Sequence, residues 1–449
     1  MASRTVAHST GGPVMGEVEV RPDEASLRRG AHVPLSALAD LKSGGTPSKG
    51  DPRYWGGHIP WLTPKDMGDF QGKTQECVTP LAIGNGTRIA PANSVFVAVR
   101  GMSLHNEIRV VFPSQPMAFN QDIKAIVATA LDPKFFYYVL TAAKPTLLSM
   151  VESAGHGTGV LPTDKLAGLP IPQFSPAEQS AIARILGSLD ELIALSRRTN
   201  ETLEAIGRAM FKDWFVDFGP VLAIQEAREP YLSRDVWNLF PDRIDADGLP
   251  LGWTRMPLDQ AANFLNGLAL QKFPPTGVAD LPVIRISDLR AGVARGDPMA
   301  SSDLPSQYII DDGDVIFSWS GSLLQRIWTG GRGALNQHLF KVSSERFPKW
   351  FHYLWVDHHM PEFQRIAAAK ATTMGHIQRH HLTAAAVVVP PEPVLDAANA
   401  VLAPILDGLV RNDIESRNVI AMRDFLLPRL MARDIRINDA ERFIEEATA

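Results

Sequence analysis

Residues 175–218 read SPAEQSAIARILGSLDELIALSRRTNETLEAIGRAMFKDWFVDF, and this stretch decides the fold. Its opening is a helix start. Ser175 is placed to cap it, Pro176 takes the first helical position, where no N–H is needed, and Glu178 reaches back to complete a capping box. Behind these, Ile185, Leu189, Leu192, Leu203, Ile206 and Met210 recur at alternating steps of four and three, with Ser196 and Thr199 on the seam positions between. That is a coiled-coil period. It continues for about forty residues without an internal proline, enough for a helix of roughly 60 Å. A helix this long cannot bury its seam within one ordinary domain, so the spacing predicts a helical partner.

The chain supplies one at residues 395–431, where Ile405, Leu409, Val419, Leu426 and Leu430 follow the same three-four spacing around polar Asn412 and Ser416. Each seam thus has a polar break at its centre. In an antiparallel pair the breaks meet, Ser196 and Thr199 near Asn412 and Ser416, and set the register.

Outside the helices the two halves repeat one another. Ile59-Pro60-Trp61-Leu62-Thr63-Pro64-Lys65-Asp66 corresponds to Leu281-Pro282-Val283-Ile284-Arg285-Ile286-Ser287-Asp288. Phe119-Asn120-Gln121-Asp122 corresponds to Leu335-Asn336-Gln337-His338, and Pro133-Lys134-Phe135-Phe136 to Pro348-Lys349-Trp350-Phe351. With Val99-Arg100-Gly101 against Trp319-Ser320-Gly321, Gly159-Val160-Leu161 against Gly375-His376-Ile377, and Leu189-Asp190 against Leu406-Asp407, six matches stand in one order. The fold class expected is therefore α+β, two tandem α+β domains, each followed by a long helix, in a pseudo-twofold internal repeat. The expected boundaries are a disordered tail (1–30), a first domain (31–174), a first helix (175–218), a linker (219–251), a second domain (252–390), a second helix (391–437) and a C-terminal tail (438–449).

The formal net charge of −5 conceals an uneven distribution. Residues 31–174 carry twelve basic and ten acidic side chains and residues 252–390 thirteen and eleven, whereas 175–251 carry eight and thirteen and 391–449 seven and eleven. Two mildly basic blocks alternate with two acidic helical ones, so any DNA contact belongs to the former and needs help from other subunits. The single cysteine, Cys77, cannot form an internal disulfide, which suits the cytoplasm. No run of eighteen apolar residues and no signal-peptide core is present, and no membrane association is expected.

Catalytic patterns fail on context. The loop Gly155-His156-Gly157-Thr158-Gly159 lacks a preceding strand, and Pro162 prevents an immediate helix, so no helix N-terminus faces a phosphate. His376 and His380 have helical spacing but no acidic or cysteine partner at a fixed interval, and no metal site is expected. No lysine follows a glycine loop in the manner of an ATP site, and Ser318 and Ser320 lack the spacing of a nucleophile elbow. What remains is a binding inventory. The amides of Asn120, Gln121, Asn336 and Gln337 suit adenine edges, although the two asparagines equally suit turn capping. Lys65, Arg100, Arg285, Arg326 and Arg379 suit guanine or phosphate oxygens. Thr158 and Thr163 in one copy, and Thr372, Thr373, Gln378 and Arg379 in the other, lie on loops ahead of the long helices.

Gly44-Gly45-Thr46-Pro47-Ser48, Tyr54-Trp55-Gly56-Gly57 and Ile59-Pro60-Trp61 resemble the opening of a target-recognition domain in the specificity (S) subunits of Type I restriction-modification systems. Leu169-Pro170-Ile171-Pro172, Pro176, Glu178-Gln179 and Ile182 resemble its end and the start of the helical region, and Met422-Arg423-Asp424-Phe425-Leu426-Leu427-Pro428-Arg429-Leu430 the closing helix. The second copy departs from the pattern: Asn266-Gly267-Leu268-Ala269 replaces the glycine-glycine-threonine-proline opening, and Leu395-Asp396 the glutamate-glutamine pair.

The resemblance implies two target-recognition domains held apart by two antiparallel helices, each reading one half of an asymmetric, interrupted site in double-stranded DNA. Thr46 joins the DNA-facing candidates on this basis. It further implies a non-catalytic chain that recruits two methylation (M) subunits and, where present, two restriction (R) subunits. S-adenosylmethionine, ATP and magnesium then bind in those partners and not here. The alternatives are an orphan specificity protein exchanging between modification complexes, or a two-domain protein-protein adaptor.

Overall fold

Ser175 opens the long helix as its sequence requires: its amide donates to Glu178 Oε2 at 2.7 Å while its Oγ accepts from the Glu178 amide at 3.3 Å. The helix runs over Pro176–Phe211 and then widens into a π-type turn, Lys212–Val216, which Phe218 ends in the left-handed conformation. The computed structural model describes residues 32–68, 70–369 and 375–448; the expected tail 1–30 lies outside them. The chain divides into two units, one formed by the residues up to Asp190 together with those from Met422 onward, the other by Glu191–Ala421.

In the first unit, His32–Pro34 pairs antiparallel with Pro170–Pro172, so the domain's start is tied to its end. An antiparallel sheet runs in the order Ala39–Ser43, Ile123–Ala128, Val95–Ala98, Val110–Val111. Val95–Ala98 is apolar at every position and buried at every position, as a central strand covered on both faces must be. A second sheet runs Glu76–Val78, Trp55–Leu62, Met117–Phe119, Arg88–Ala90, with one parallel pairing, Trp61 beside Ala118. A third joins the hairpin of Glu152–Ala154 and Thr158–Val160 to Arg100–Gly101. Asp132 caps the helix Pro133–Ala142 through the Phe135 amide at 2.8 Å, and that helix buries Phe135, Phe136, Tyr138, Val139 and Leu140.

The second unit repeats the terminal strand pair and the two four-stranded sheets, while among the described residues the third sheet is reduced to a single bridge between Ser320 and His376. Thr254–Pro257 pairs with Ala386–Val389. One sheet runs Asn263–Asn266, Leu339–Ser343, Val315–Ser318, Leu324–Ile327; the other runs Met299–Ala300, Leu281–Ile284, Gly333–Leu335, Ile309–Ile310 and again has one parallel pairing, Val283 beside Ala334. The tandem repeat is thus one of topology. It also explains how the second copy dispenses with the glycine-glycine-threonine-proline opening. A Cβ on Gly44 would lie 2.3 Å from the Phe119 and Asn120 carbonyl oxygens, and one on Gly267 would lie 2.2 Å from the Asn336 carbonyl oxygen. One glycine per copy meets that close approach.

Each unit contains an antiparallel stretch of the two long helices, Pro176–Phe211 and Glu392–Ala432. In the first unit Arg433 pairs with Glu178 at 2.8 Å and Arg423 with Asp190 at 2.9 Å, while Tyr138 donates to the other Asp190 oxygen at 2.6 Å. In the second unit Gly207 faces Ile405 and Leu203 faces Gly408. By length and composition Glu392–Ala432 is apolar enough to cross a membrane, with a mean hydropathy of 1.4 in its apolar window. Its Val394, Ala398, Leu402 and Leu406 are instead part of the second unit's core.

Three expectations need correction. The seam of the first helix shifts after Leu189: Asn200 and Phe211 are buried, whereas Thr199 is exposed, as are Leu192 (42%) and Ile206 (44%). A straight helix advances 3.6 residues per turn, so a face extrapolated at 3.5 drifts off the partner. Residues 219–251 are no loose linker, because Val221, Phe240 and Leu249 are buried in the second unit's core. The expected tail 438–449 is, as far as it is described, the helix Ile437–Thr448; Phe443 stacks on Phe425 with ring centroids 5.7 Å apart, and Glu441 pairs with Arg184.

Candidate nucleic-acid interface

In the first unit a cleft of about 540 Å³ is lined by Lys49, Lys65, Arg100, Met102, Arg109 and Asn120, among others. The turn carrying Lys65 is braced from two sides. Asp66 accepts from the Thr63 amide (2.8 Å), the Thr63 hydroxyl (2.6 Å) and the Gln75 amide (2.9 Å), while Arg109 donates to the Pro64 carbonyl at 2.8 Å. Arg100 begins the short strand Arg100–Gly101 beside the hairpin that carries Thr158. Both Lys65 and Arg100 are exposed. Thr46 and Gln121 meet: the threonine hydroxyl donates to Gln121 Oε1 at 2.6 Å.

Asn120 is placed differently from a base-reading amide. It is 7% exposed, its Oδ1 accepts from the Asp122 amide at 3.1 Å, and its Nδ2 donates to the Asp122 carboxylate at 3.2 Å. Asn336 repeats this, accepting from the His338 amide at 3.1 Å. Both therefore cap a turn in register with one another, the structural role that the sequence left open for them. Thr163 is exposed at the start of the short helix Thr163–Ala167 and does not line the cleft.

The corresponding place in the second unit is chemically different. Trp319 Nε1 donates to Asn266 Oδ1 at 3.0 Å, and its ring lies 6.2 Å from that of His338 and 6.4 Å from that of His376. His338 Nδ1 is 3.1 Å from Ser320 Oγ, and its Nε2 is 3.4 Å from Gln337 Nε2. Ser320 and His376 form the bridge that Arg100 and Val160 form in the first unit. One unit thus offers cations and the other an indole with imidazoles and amides.

Two arginines on the sequence inventory are committed elsewhere. Arg285 donates from Nε to Asp288 at 3.2 Å and from Nη2 to the Asp297 carbonyl at 2.7 Å, holding a carboxylate that is itself fully buried. Arg326 enters another cleft of the second unit, of about 650 Å³, which Asn200, Glu204, Arg208, Asp413 and Ser416 also line; it stands 3.7 Å from Asp413. Burial there raises the Glu204 carboxyl above its ordinary range, with Asp357 and Asp413 reinforcing the shift against Arg208. Arg379 lies 5.9 Å from the Phe340 ring, and Gln378 is exposed at the cap of the short helix Arg379–Ala384. Thr372 and Thr373 lie outside the described residues.

The polar centre of the helix pair is Asn200 rather than Thr199. Asn200 Nδ2 donates to Asp413 Oδ1 at 2.7 Å and to the Leu409 carbonyl at 3.2 Å, and its Oδ1 accepts from Asn412 at 2.8 Å. Ser196 and Ser416 are half-buried.

Sequence reasoning missed Asn200, Trp319, His338, Met102 and Lys49, and took up His376 only to exclude a metal site. Lys49 is held over the Trp55 ring at 3.6 Å while paired with Glu76 at 2.6 Å. The repeat offered a signal for His338 and His376, which align with Asp122 and Val160. Among the described residues no group of three or more histidine, cysteine, aspartate or glutamate side chains is arranged to hold a metal ion. The arrangement offers donors, acceptors and aromatic faces for binding.

A family model described as the Type I restriction modification DNA specificity domain matches residues 31–205. The Type I restriction enzyme MjaIX specificity subunit of Methanocaldococcus jannaschii is 24% identical over 424 residues, 90% of this chain and 93% of the relative. The EcoR124I/EcoR124II specificity subunit of Escherichia coli is 30% identical over 178 residues, 39% of this chain and 43% of that one. Among solved structures, the Type-I restriction-modification system S subunit from M. genitalium superposes with a TM-score of 0.51 at 15% identity, covering 89% of this chain and 95% of that one, a likeness of fold.

Proposed function

The chain belongs to the specificity (S) subunits of Type I restriction-modification systems, and from that premise we propose that it reads a bipartite, asymmetric DNA site, one half through each α+β domain. Specificity subunits recognise DNA within the restriction-modification complex and are non-catalytic, with catalysis in the partner subunits. The observation that carries the bipartite reading is the duplicated strand order with unlike side chains at equivalent places: Arg100 and Asp122 in one copy, Ser320 and His338 in the other. Equal scaffolds with unequal contacts suit two different half-sites.

In this reading residues 31–174 and 252–390 are the recognition domains, and the paired helices set the gap between half-sites. Thr46, Lys65, Arg100, Gln121 and Thr158 face DNA in the first, and Gln337, Gln378 and Arg379 in the second. Two methylation subunits, with restriction subunits where the system has them, dock on the acidic helical segments and bring S-adenosylmethionine, ATP and magnesium. The complex works in the cytoplasm, where its DNA is.

The test is to combine the full chain with its methylation subunit and map methylated adenines on random-sequence DNA. One interrupted motif is expected, and exchange of residues 31–172 for those of a relative should alter one half only. Methylation without a motif, or change in both halves, defeats the proposal.

A further inference from the structure

Met102 stands out on the first unit's surface. It is 75% exposed, more than any other large apolar side chain among the described residues, yet it lines the cleft that also holds Lys65 and Arg100. Folding gives no reason for it. The turn that carries it, Met102–His105, is anchored by its neighbours: Leu104 is 1% exposed, His105 Nε2 lies 3.2 Å from the Gly157 carbonyl oxygen, and the Asn106 and Glu107 amides both donate to the Ser103 carbonyl at 3.0 Å. A Cβ on Gly159 would stand 3.0 Å from Leu104, so the hairpin is pressed against the turn. The apolar tip is thus held out to solvent by a braced backbone. Beside it, Arg100 makes no side-chain hydrogen bond or ion pair among the described residues.

A flexible, polarisable thioether chain beside an uncommitted guanidinium matches one feature of duplex DNA. In the major groove thymine alone presents a methyl group, next to the N7, O6 and phosphate oxygens that arginine takes. We propose that Met102 receives the C5-methyl of a thymine in the half-site read by the first unit, with Arg100 bonded next to it, so that Met102 is a specificity-determining residue. The assignment rests on the DNA-reading role proposed above.

The test uses the full chain with its methylation subunits and duplexes in which single thymines are replaced by uracil, which keeps the pairing edge and loses only the methyl. At one thymine the wild-type complex should lose about fourfold in kcat/KM, the ratio that burying a single methyl group corresponds to. Met102→Ala should methylate the thymine duplex more slowly and be indifferent to uracil at that position, and Met102→Leu should restore the preference. Because the side chain is exposed, both variants should unfold at the wild-type denaturant midpoint. Uracil sensitivity that is the same in all three proteins overturns the assignment, as does a site with no sensitive thymine, or a Met102→Ala defect confined to binding of the methylation subunit. A wild-type complex that methylates without a motif defeats the DNA-reading role itself, and is visible before any variant is made.

Discussion

Asn412 donates its side-chain amide to the side-chain carbonyl of Asn200 across the paired helices at 2.8 Å, and the Asn200 amide in turn donates to Asp413 at 2.7 Å. This polar knot sits between apolar neighbours, Leu409 on one helix and Leu203 on the other. Apolar contacts tolerate sliding; a relay of side-chain hydrogen bonds does not, because a shift of one turn leaves its amide donors unpaired.

Asn200→Ala should therefore destabilise the second unit by about 1–3 kcal/mol, since it leaves the Asn412 amide without its acceptor, whereas Asp413 keeps Thr329 at 3.3 Å and Arg326 at 3.7 Å. Replacing Asn200 and Asn412 together by leucine should recover most of that loss, because no donor is then left without a partner. Urea unfolding followed by tryptophan fluorescence checks both. Seven of the nine tryptophans lie in residues 191–421, so the signal reports mainly this unit.

Arginines that look alike in the sequence should behave oppositely. Arg100→Ala is expected to leave stability within about 0.5 kcal/mol of wild type and to relax discrimination at one base position by roughly 1–3 kcal/mol. Arg285→Ala is expected to destabilise by about 1–3 kcal/mol, because Asp288 is fully buried and loses the nearer of its two guanidinium partners, keeping only Arg295 at 3.9 Å. Parallel denaturation and methylation-site mapping separate the two outcomes; equal effects of both variants on stability would contradict the assignment.

His352 is 4% exposed, and burial, with Lys349 adding to it, pushes its pKa down from 6.5 to about 4. The unfolded chain takes up this proton first as pH falls below 6.5, so stability is complete above that value, declines towards about 4 and then levels off. The loss amounts to about 3 kcal/mol at most. Burial lowers His358 and His359 in the same direction. His352→Leu should accordingly reduce, without abolishing, the fall in unfolding free energy between pH 7 and pH 5.

If the helix pair sets the gap between half-sites, lengthening both members should widen it. Seven residues added to each helix, within 191–199 and within 413–421, preserve the heptad phase and extend the pair by roughly 10 Å. That is about three base pairs at 3.4 Å each. The map of methylated adenines should show the same two half-sites with the wider gap; an unaltered gap would mean that the helices do not measure it.

Much of this protein was determined by its sequence alone. Local signals and periodicity survive any tertiary arrangement, so Ser175 with Glu178 marked the first helix start, the ordered matches revealed the duplication, and Ile405, Leu409, Leu426 and Leu430 marked the second helix. Only the tertiary structure decided which residues meet. Thr199 and Asn200 are adjacent and both polar, and a rotation of 100° separates the exposed one from the buried one. Arg100 and Arg285 are the same residue type, yet one reaches an open cleft and the other answers a buried carboxylate. Gly267 performs the close approach of Gly44 because the backbone of residues 335–336 crosses it, and nothing in the local sequence records that crossing. Met102 shows the same limit: its exposure follows from Leu104, two residues along, taking the place in the core.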